Sequence, residues 1–385
     1  YYELIKKLGS NNLFTGHIDG TGLVNYSNHA SSGGNAILVD WPEAERDGYQ
    51  WGNYNTAFNA IAYGTYDAMA KIAGVLEKTA DQQDYREKAD ALKAGMISKL
   101  YDADKGAYRD SEDADHYSQH ATAYALAYGI YDSQEMADKL AAFIRSQGAI
   151  RTSVFASWFV LEGLYNAGAG QTAMELMLSK GTRSWHHMIE ELGATISTEA
   201  WDPGNKSNMT FSHPWGSAPG SQIVQGLFGI KPLESGFAKF QIKMQPGGLA
   251  QASVKTPTMK GSVEASFTTG TAEHSISASV TIPANTQAVV SLPRKGQKHT
   301  ILLVDGTVTE AEEDGDFLSV TLGSGVHTLA VPNAGEASLK ISDKGKYYVK
   351  DTAQVEFNYT APDGTVSAAE ELGTVSYSSD NSRVA

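Results

Sequence analysis

The strongest constraint is a change of hydrophobic period near Ile230. Before it, apolar residues recur every three or four positions: Ile61, Ala62, Thr65, Met69, Ile72 and Leu76 form one stripe, and Tyr85, Ala89, Leu92, Met96 and Leu100 another. That spacing belongs to amphipathic helices, and the short break between the stripes predicts an antiparallel hairpin with Thr79 or Asp81 as N-cap of its second helix. Further helices fit around 119–129, 133–146, 154–167, 171–179 and 217–228. With the N-terminal stub YYELIKKL there are about eight. After Ile230 the pattern becomes short alternating runs such as AKFQIKMQP, HSISASVTIP and TQAVVSLP, broken by Gly, Pro, Asn and Asp. A helix cannot satisfy that period, so a β-sandwich of about eight strands is expected over 235–333. From Ala337 another β pattern (ASLKISD, KYYVKD, AQVEFNYTAPDG, VSYSSD) reads as a truncated Ig-like module. The expected domains are 1–232, helical; 233–333, β-sandwich; and 334–385, Ig-like.

Composition narrows the function classes. A chain of 385 residues with 19% charged residues can bury a large core. Its net charge of −14 repels phosphate backbones and anionic lipid, so neither nucleic acid nor a membrane surface is an expected partner. With no Cys there is no disulfide, thiolate metal site or thiol nucleophile. No apolar run approaches the length of a membrane span, and no signal segment is visible. His116 and His120 have the i,i+4 spacing of a metal pair but lack the Glu of HExxH. Nucleotide-binding loops are absent as well, so no metal or cofactor is predicted.

All six Trp fall in the first 215 residues, and five of them, all but Trp158, lie within four polar clusters. The first runs from Asp40 to Trp51 and alternates Asp40, Glu43, Glu45, Arg46 and Asp47 with Trp41, Tyr49 and Trp51. Aromatic faces pack on the C–H face of a pyranose while carboxylates and guanidinium bind its hydroxyls, so the mixture suits a sugar. A solvated acidic loop ahead of a helix fits it too. The second is Arg183-Ser184-Trp185-His186-His187-Met188, where Trp185 could floor a sugar or plug a helix end. In the third, GATISTEAWD, small residues precede Glu199 and Trp201 follows it. Partial desolvation there would raise the Glu199 pKa and suit acid/base work, and a paired structural Glu is the alternative. The fourth, SHPWGSAPG, sets His213 and Trp215 just outside a helix that Ser217 would cap and Pro219 would open. A satisfied structural His is the alternative there.

The ordered segments LVDWPEAERDGY, RSWHHM, GATISTEAWD and SHPWGSAPGSQIVQGLFGIKPLESGF resemble the C-terminal part of the catalytic domain of bacterial α-L-rhamnosidases, glycoside hydrolase family 78, over about residues 35–330. The resemblance implies part of an (α/α)6 toroid, then an antiparallel β-sandwich, and inverting hydrolysis of terminal α-L-rhamnosyl residues on glycosides or polysaccharides. Glu199 matches the general base, and His213, Trp201, Trp41 and Asp40 match positions around the sugar. Arg46, Asp47, Tyr49, Trp51, Trp185 and Trp215 are further pocket candidates. The family's acid motif contains a Cys that this chain lacks. The general acid is therefore expected upstream of residue 1, which would leave these residues alone nearly inactive, with Glu45 in reserve. The other readings are a different toroid glycosidase, a polysaccharide lyase, or a non-catalytic carbohydrate-binding surface protein. The β-rich tail and absence of Cys favour an extracellular or cell-surface bacterial protein over a cytoplasmic one.

Overall fold

Asn55 opens the first long helix: its side chain accepts the Phe58 amide and so satisfies one of the donors that a helix start leaves unpaired. The computed structural model describes residues 18–25 and 39–333 and, as backbone alone, the strands Glu336–Ile341, Val355–Thr360 and Val366–Ala368. The expected N-terminal stub and the segments KYYVKD and VSYSSD lie outside the described residues. The chain divides into two compact units, 1–229 and 230–385. The division precedes the expected 232 because Lys231 and Pro232 already pair with Gln241 and Phe240 as strand.

Helices α1 (Thr56–Val75) and α2 (Thr79–Lys99) form the expected hairpin. The α2 stripe is buried as read, from Tyr85 to Leu100. The α1 stripe is displaced: Phe58, Ala62, Tyr66, Met69, Ala70 and Ala73 are buried, whereas Ile72 and Leu76 are exposed. Alanines pack where helices approach closely, and a scale that rewards Ile and Leu overlooks them. The α2 N-cap is Lys78 rather than Thr79 or Asp81, and it makes no side-chain cap bond. Then come α3 (Gln119–Ala127), α4 (Gln134–Ser146), α5 (Ser157–Asn166), α6 (Gly170–Met177) and a short α7 (Ala218–Gln222) that continues as a π turn over Ile223–Leu227.

Helices α1, α3, α5 and α7 pack side by side in chain order, and α2, α4 and α6 each pack against the helix before. This is the alternating inner and outer layering of an (α/α) toroid. The inner helix α3 is buried from Gln119 to Leu126. It meets α5 closely at Gly163, where an added Cβ would lie 3.0 Å from the Ala127 nitrogen and 3.2 Å from the Ala123 oxygen. Backbone cannot move aside as a flexible side chain can. Because only every second helix is inner, the loops that enter inner helices lie at one end of the unit. They carry Tyr49 and Asn55, Asp110 and Ser118, Ser153, and Glu199 with Trp215.

The second unit contains two sheets that form the β-sandwich. One runs in spatial order Thr307–Glu310, Ile301–Val304, Gly325–Pro332, His274–Ile282, Gly261–Thr269 and Gln251–Thr258. The other runs Glu312–Asp314, Phe317–Leu322, Gln287–Pro293, Lys239–Lys243 and Lys231–Pro232, with a parallel pairing of Lys239–Lys243 on Gln287–Ser291. Alternate residues, among them Val263, Ala265, Phe267, Phe240, Ile242, Val290 and Leu292, are buried, as the period of two requires. The strands Glu336–Ile341, Val355–Thr360 and Val366–Ala368 make a separate antiparallel sheet where the Ig-like module is expected.

Gly163→Val should lower the stability of the helical unit by about 1–3 kcal/mol through overpacking against α3, read as a fall in urea midpoint at unchanged slope. A midpoint equal to the parent's would show that α3 and α5 are not in the contact described.

Candidate functional site

The loops at the inner-helix entrances are tied by a buried carboxylate. Asp40 is fully buried. Its Oδ1 accepts the Trp41 amide at 2.8 Å and the Ser153 hydroxyl, and its Oδ2 accepts the Ser153 amide at 2.7 Å and lies 2.5 Å from His120 Nε2. Its backbone oxygen accepts Arg46 Nε at 2.8 Å. Every acceptor is engaged by protein, so Asp40 positions its neighbours and does not meet a sugar hydroxyl, which corrects the pocket role expected for it. The same correction applies to Tyr49, which is buried with its one hydroxyl proton shared between the Asp110 oxygen and Asn55 Oδ1. It applies again to Trp201, which is fully buried and donates Nε1–H to the Thr152 oxygen at 2.7 Å.

Two further expected residues are at least half engaged. Arg46 is committed to Asp40 through Nε, and Asp47 accepts the Gln119 amide at 3.0 Å while facing Arg151 at 3.6 Å. Trp41 and Trp51 are exposed, at 39% and 42%. The Trp51 ring meets Tyr49 edge-on, 5.4 Å between centroids. His116 and His120 pair with different carboxylates, Asp110 and Asp40.

Glu199 sits where two passes of chain run together. Its amide donates to the Thr210 oxygen at 3.0 Å, the His213 amide donates to the Ser197 oxygen at 2.8 Å, and Ser197 Oγ donates to the His213 oxygen at 2.7 Å. These bonds bring Glu199 and His213 together although they are distant in sequence. Trp215 donates Nε1–H to the Glu199 oxygen at 3.2 Å, and its ring lies 4.4 Å from that of His213. Trp185 meets Trp201 edge-on at 5.0 Å and donates to the Gly216 oxygen at 2.8 Å. Ser217, expected as a cap, turns its hydroxyl to Ser197 instead. An apolar cavity of about 280 Å³ adjoins this region, lined by Trp185, Met188, Ile189, Ile196 and Pro219 among others. Glu199 and His213 do not line it.

The Glu199 side chain is largely buried, with 9% of the residue exposed. Its Oε2 accepts the Thr210 amide at 3.0 Å and lies 3.3 Å from Lys206 Nζ, while Oε1 has no described partner. Burial pushes this carboxyl up, but the Thr210 N–H, the Lys206 ammonium and the nearby His213 outweigh it and hold the pKa below the ordinary value. The raised pKa expected from desolvation is therefore corrected: charge and hydrogen bonding win over burial here.

Glu45 is the opposite case. It is fully buried, and its Oε1 accepts the Trp201 amide and Asn205 Nδ2, each at 2.8 Å, while Oε2 is buried without a partner. Burial raises its pKa to about 7, and the Asn205 and Trp201 bonds and Arg183 only partly oppose this. Such a value suits an acid, but a carboxyl sealed from solvent does not reach a glycosidic oxygen, so the geometry does not support the reserve role. Glu45 instead links the acidic loop to the loop of Glu199.

Thr210, Asn205 and Ser153 carry no sequence signal of a site role, and His120, read in the sequence only as half of a weak metal pair, instead holds Asp40. For Lys206 the one visible signal is a lone Lys in the segment that follows Glu199.

Residues 22–226 match the family described as the bacterial alpha-L-rhamnosidase 6 hairpin glycosidase domain, and residues 229–301 match the bacterial alpha-L-rhamnosidase C-terminal domain. Among solved structures, the chain resembles the α-L-rhamnosidase from Dictyoglumus thermophilum, with 23% identity and a TM-score of 0.61 over 71% of this chain and 31% of that one. It also resembles the Streptomyces avermitilis α-L-rhamnosidase complexed with L-rhamnose (18% identity, TM-score 0.63, 85% of this chain and 29% of that one). A third likeness is the native enzyme from Aspergillus terreus (21% identity, TM-score 0.60, 80% and 34%). At these identities the likeness is one of fold, and the chain spans about a third of the length of each. No curated protein matches.

Because stability falls with pH wherever the folded state binds more protons, Glu45 should cost the fold increasingly from about pH 4.5 up to about pH 7, and by a constant amount above. Glu45→Gln should remove that slope, a gain over the parent of at most about 3 kcal/mol by pH 8, read by urea unfolding at several pH values. Parallel pH–stability curves for the two proteins would contradict the burial described.

Proposed function

Because the chain belongs to the bacterial α-L-rhamnosidase six-hairpin glycosidase family, we propose that it takes part in inverting hydrolysis of terminal α-L-rhamnosyl residues, with Glu199 as general base. The observation that carries this reading is the state of Glu199. One oxygen is held by Thr210 and Lys206, the other has no described partner, and the carboxyl is kept ionised.

A base must be deprotonated before the reaction and must have a free lone pair facing the water. The lowered pKa of Glu199 supports the first need, and an Oε1 with no described partner supports the second. In the proposed step, Oε1 takes a proton from water as the water oxygen bonds to the anomeric carbon and the bond to the glycosidic oxygen breaks. A second carboxyl, about 6.5–9.5 Å from Glu199, protonates the departing oxygen. That role is not given to Glu45, which is sealed from solvent. Trp215 and His213, with rings in contact beside Glu199, and the exposed Trp41 supply the aromatic and polar surface a pyranose needs. Trp201, Asp40 and Tyr49 serve this surface from behind. A rhamnose-containing glycoside or polysaccharide as substrate, and export from the cell, belong to the same proposal. Among the described residues no helix is long and apolar enough to cross a membrane.

In protein that releases rhamnose from an aryl α-L-rhamnoside, Glu199→Gln should lower kcat by about 10²–10⁴-fold with little change in KM. Unchanged turnover would remove Glu199 from the chemistry. Appearance of an ultraviolet-absorbing unsaturated product would replace hydrolysis by a lyase reaction.

A further inference from the structure

Lys206 makes three short approaches that fix its ammonium. Nζ donates to Asn208 Oδ1 at 2.7 Å and to the Asn208 oxygen at 3.4 Å, and it lies 3.3 Å from Glu199 Oε2. The two Asn208 hydrogen bonds orient the ammonium, and Glu199 Oε2 lies within ion-pair distance of it. The shortest contact is to Asn208, so the cation is anchored independently of Glu199.

The turn beneath it is anchored as well. Asn205 N–H donates to the Asp202 oxygen and Met209 N–H to the Lys206 oxygen, each at 3.0 Å. Asp202 Oδ1 accepts the Gly204 amide at 2.7 Å, and its Oδ2 pairs with His187 at 2.8 Å. Asn205 Nδ2 is held by Glu45. Both members of the Lys206–Glu199 pair are mostly covered, with side chains 14% and 12% exposed, so water and salt screen them less than a surface pair.

We propose that Lys206 is a positioning residue for the base: clamped by Asn208, it occupies Oε2 of Glu199, keeps that carboxylate charged, and leaves Oε1 as the oxygen open to water. The inference rests on the reading of Glu199 as base. The charged or titratable groups acting on Glu199 are Lys206 and His213, the latter sharing a 2.9 Å hydrogen bond with Thr210 Oγ1 through Nδ1. Asp202 is occupied by His187, and Glu45 faces the Trp201 amide. The arrangement trades proton affinity for availability. A carboxylate beside an ammonium is a weaker base, but it stays ionised to lower pH, which matters for an enzyme working below neutrality.

The test is a carboxyl ¹³C NMR titration of the full chain labelled in its glutamates, with Glu199→Gln identifying the signal. In the parent, Glu199 should titrate below an ordinary glutamate. Lys206→Met should move its midpoint up by about one pH unit or more, Lys206→Arg should restore most of the difference, and Asn208→Ala should give a smaller upward shift. Circular dichroism establishes that each variant is folded, and if Lys206→Met does not fold, the Asn208→Ala shift decides. Equal midpoints in the parent and the folded Lys206→Met protein, or in its place Asn208→Ala, would overturn the proposal. The acid limb of aryl α-L-rhamnoside hydrolysis, measured on protein that releases rhamnose and carries the same substitutions, should move with the NMR midpoint. A midpoint that moves beneath an unmoved limb would keep the ion pair and discard Glu199 as base, so the two failures are distinguishable.

Discussion

The end of the helical unit that carries the candidate site is organised around the Asp40 carboxylate. Its oxygens are withdrawn from water, and such polar atoms persist in the interior only where enough donors replace the lost hydration. Asp40 finds them in Trp41, His120 and both polar groups of Ser153. Those donors come from the entrances to different inner helices, so the carboxylate helps to fix the spacing between their loops, together with the bonds from the Gln119 amide to Asp47 and from the Arg151 amide to Gln119. Asp110 repeats the device nearby: its oxygens accept the Gln50 and Ser118 amides and pair with His116. Together they turn connections between helices into a rigid floor. The aromatic rings then have something fixed to stand on.

On that floor two glutamates are pushed in opposite directions by their surroundings. Glu45 is deprived of solvent and keeps one oxygen without a partner, so its neutral form is favoured. Glu199 is covered too, but it has an amide, an ammonium and an imidazole near it, so its charged form is favoured. Divergent pKa values in one site are the usual mark of an acid and a base. Here access breaks the symmetry, because proton transfer needs reach before it needs affinity. Glu45 satisfies the second requirement and not the first, so its raised pKa is the consequence of holding the loop.

The parts legible in sequence were those governed by period. The α2 stripe, the hairpin and the alternation after Ile230 each reflect a repeating geometry that many residues report at once. The α1 stripe was misplaced because Ala70 and Ala73 carry little hydrophobic signal while Ile72 and Leu76 carry a large one and face outward. Within the site, chemical type was legible and exposure was not. Asp40, Tyr49 and Trp201 have the side chains of a sugar pocket, and burial gives them another task. Whether a Trp floors a ligand or plugs the protein depends on which neighbour claims its indole N–H, here the Thr152 oxygen for Trp201 and the Glu199 oxygen for Trp215. That neighbour arrives from another loop, and no local pattern announces it.

The same distinction explains why the 199–210 segment is informative. Its local sequence offers two acids, Glu199 and Asp202, one base and a Pro-Gly turn, which by themselves describe an ordinary surface loop with a weak ion pair. What changes its character is coverage from three sides. Trp215 lies over the Glu199 backbone, Trp201 is sunk beneath, and Glu45 grips the loop through the Trp201 amide and Asn205. Once screened from water, an interaction that would contribute little at the surface can set the charge state of the carboxylate. The buried, partly unsatisfied Glu45 is then intelligible as a cost borne by the fold, since the loop it holds carries Glu199, whose Oε2 is occupied while Oε1 has no described partner.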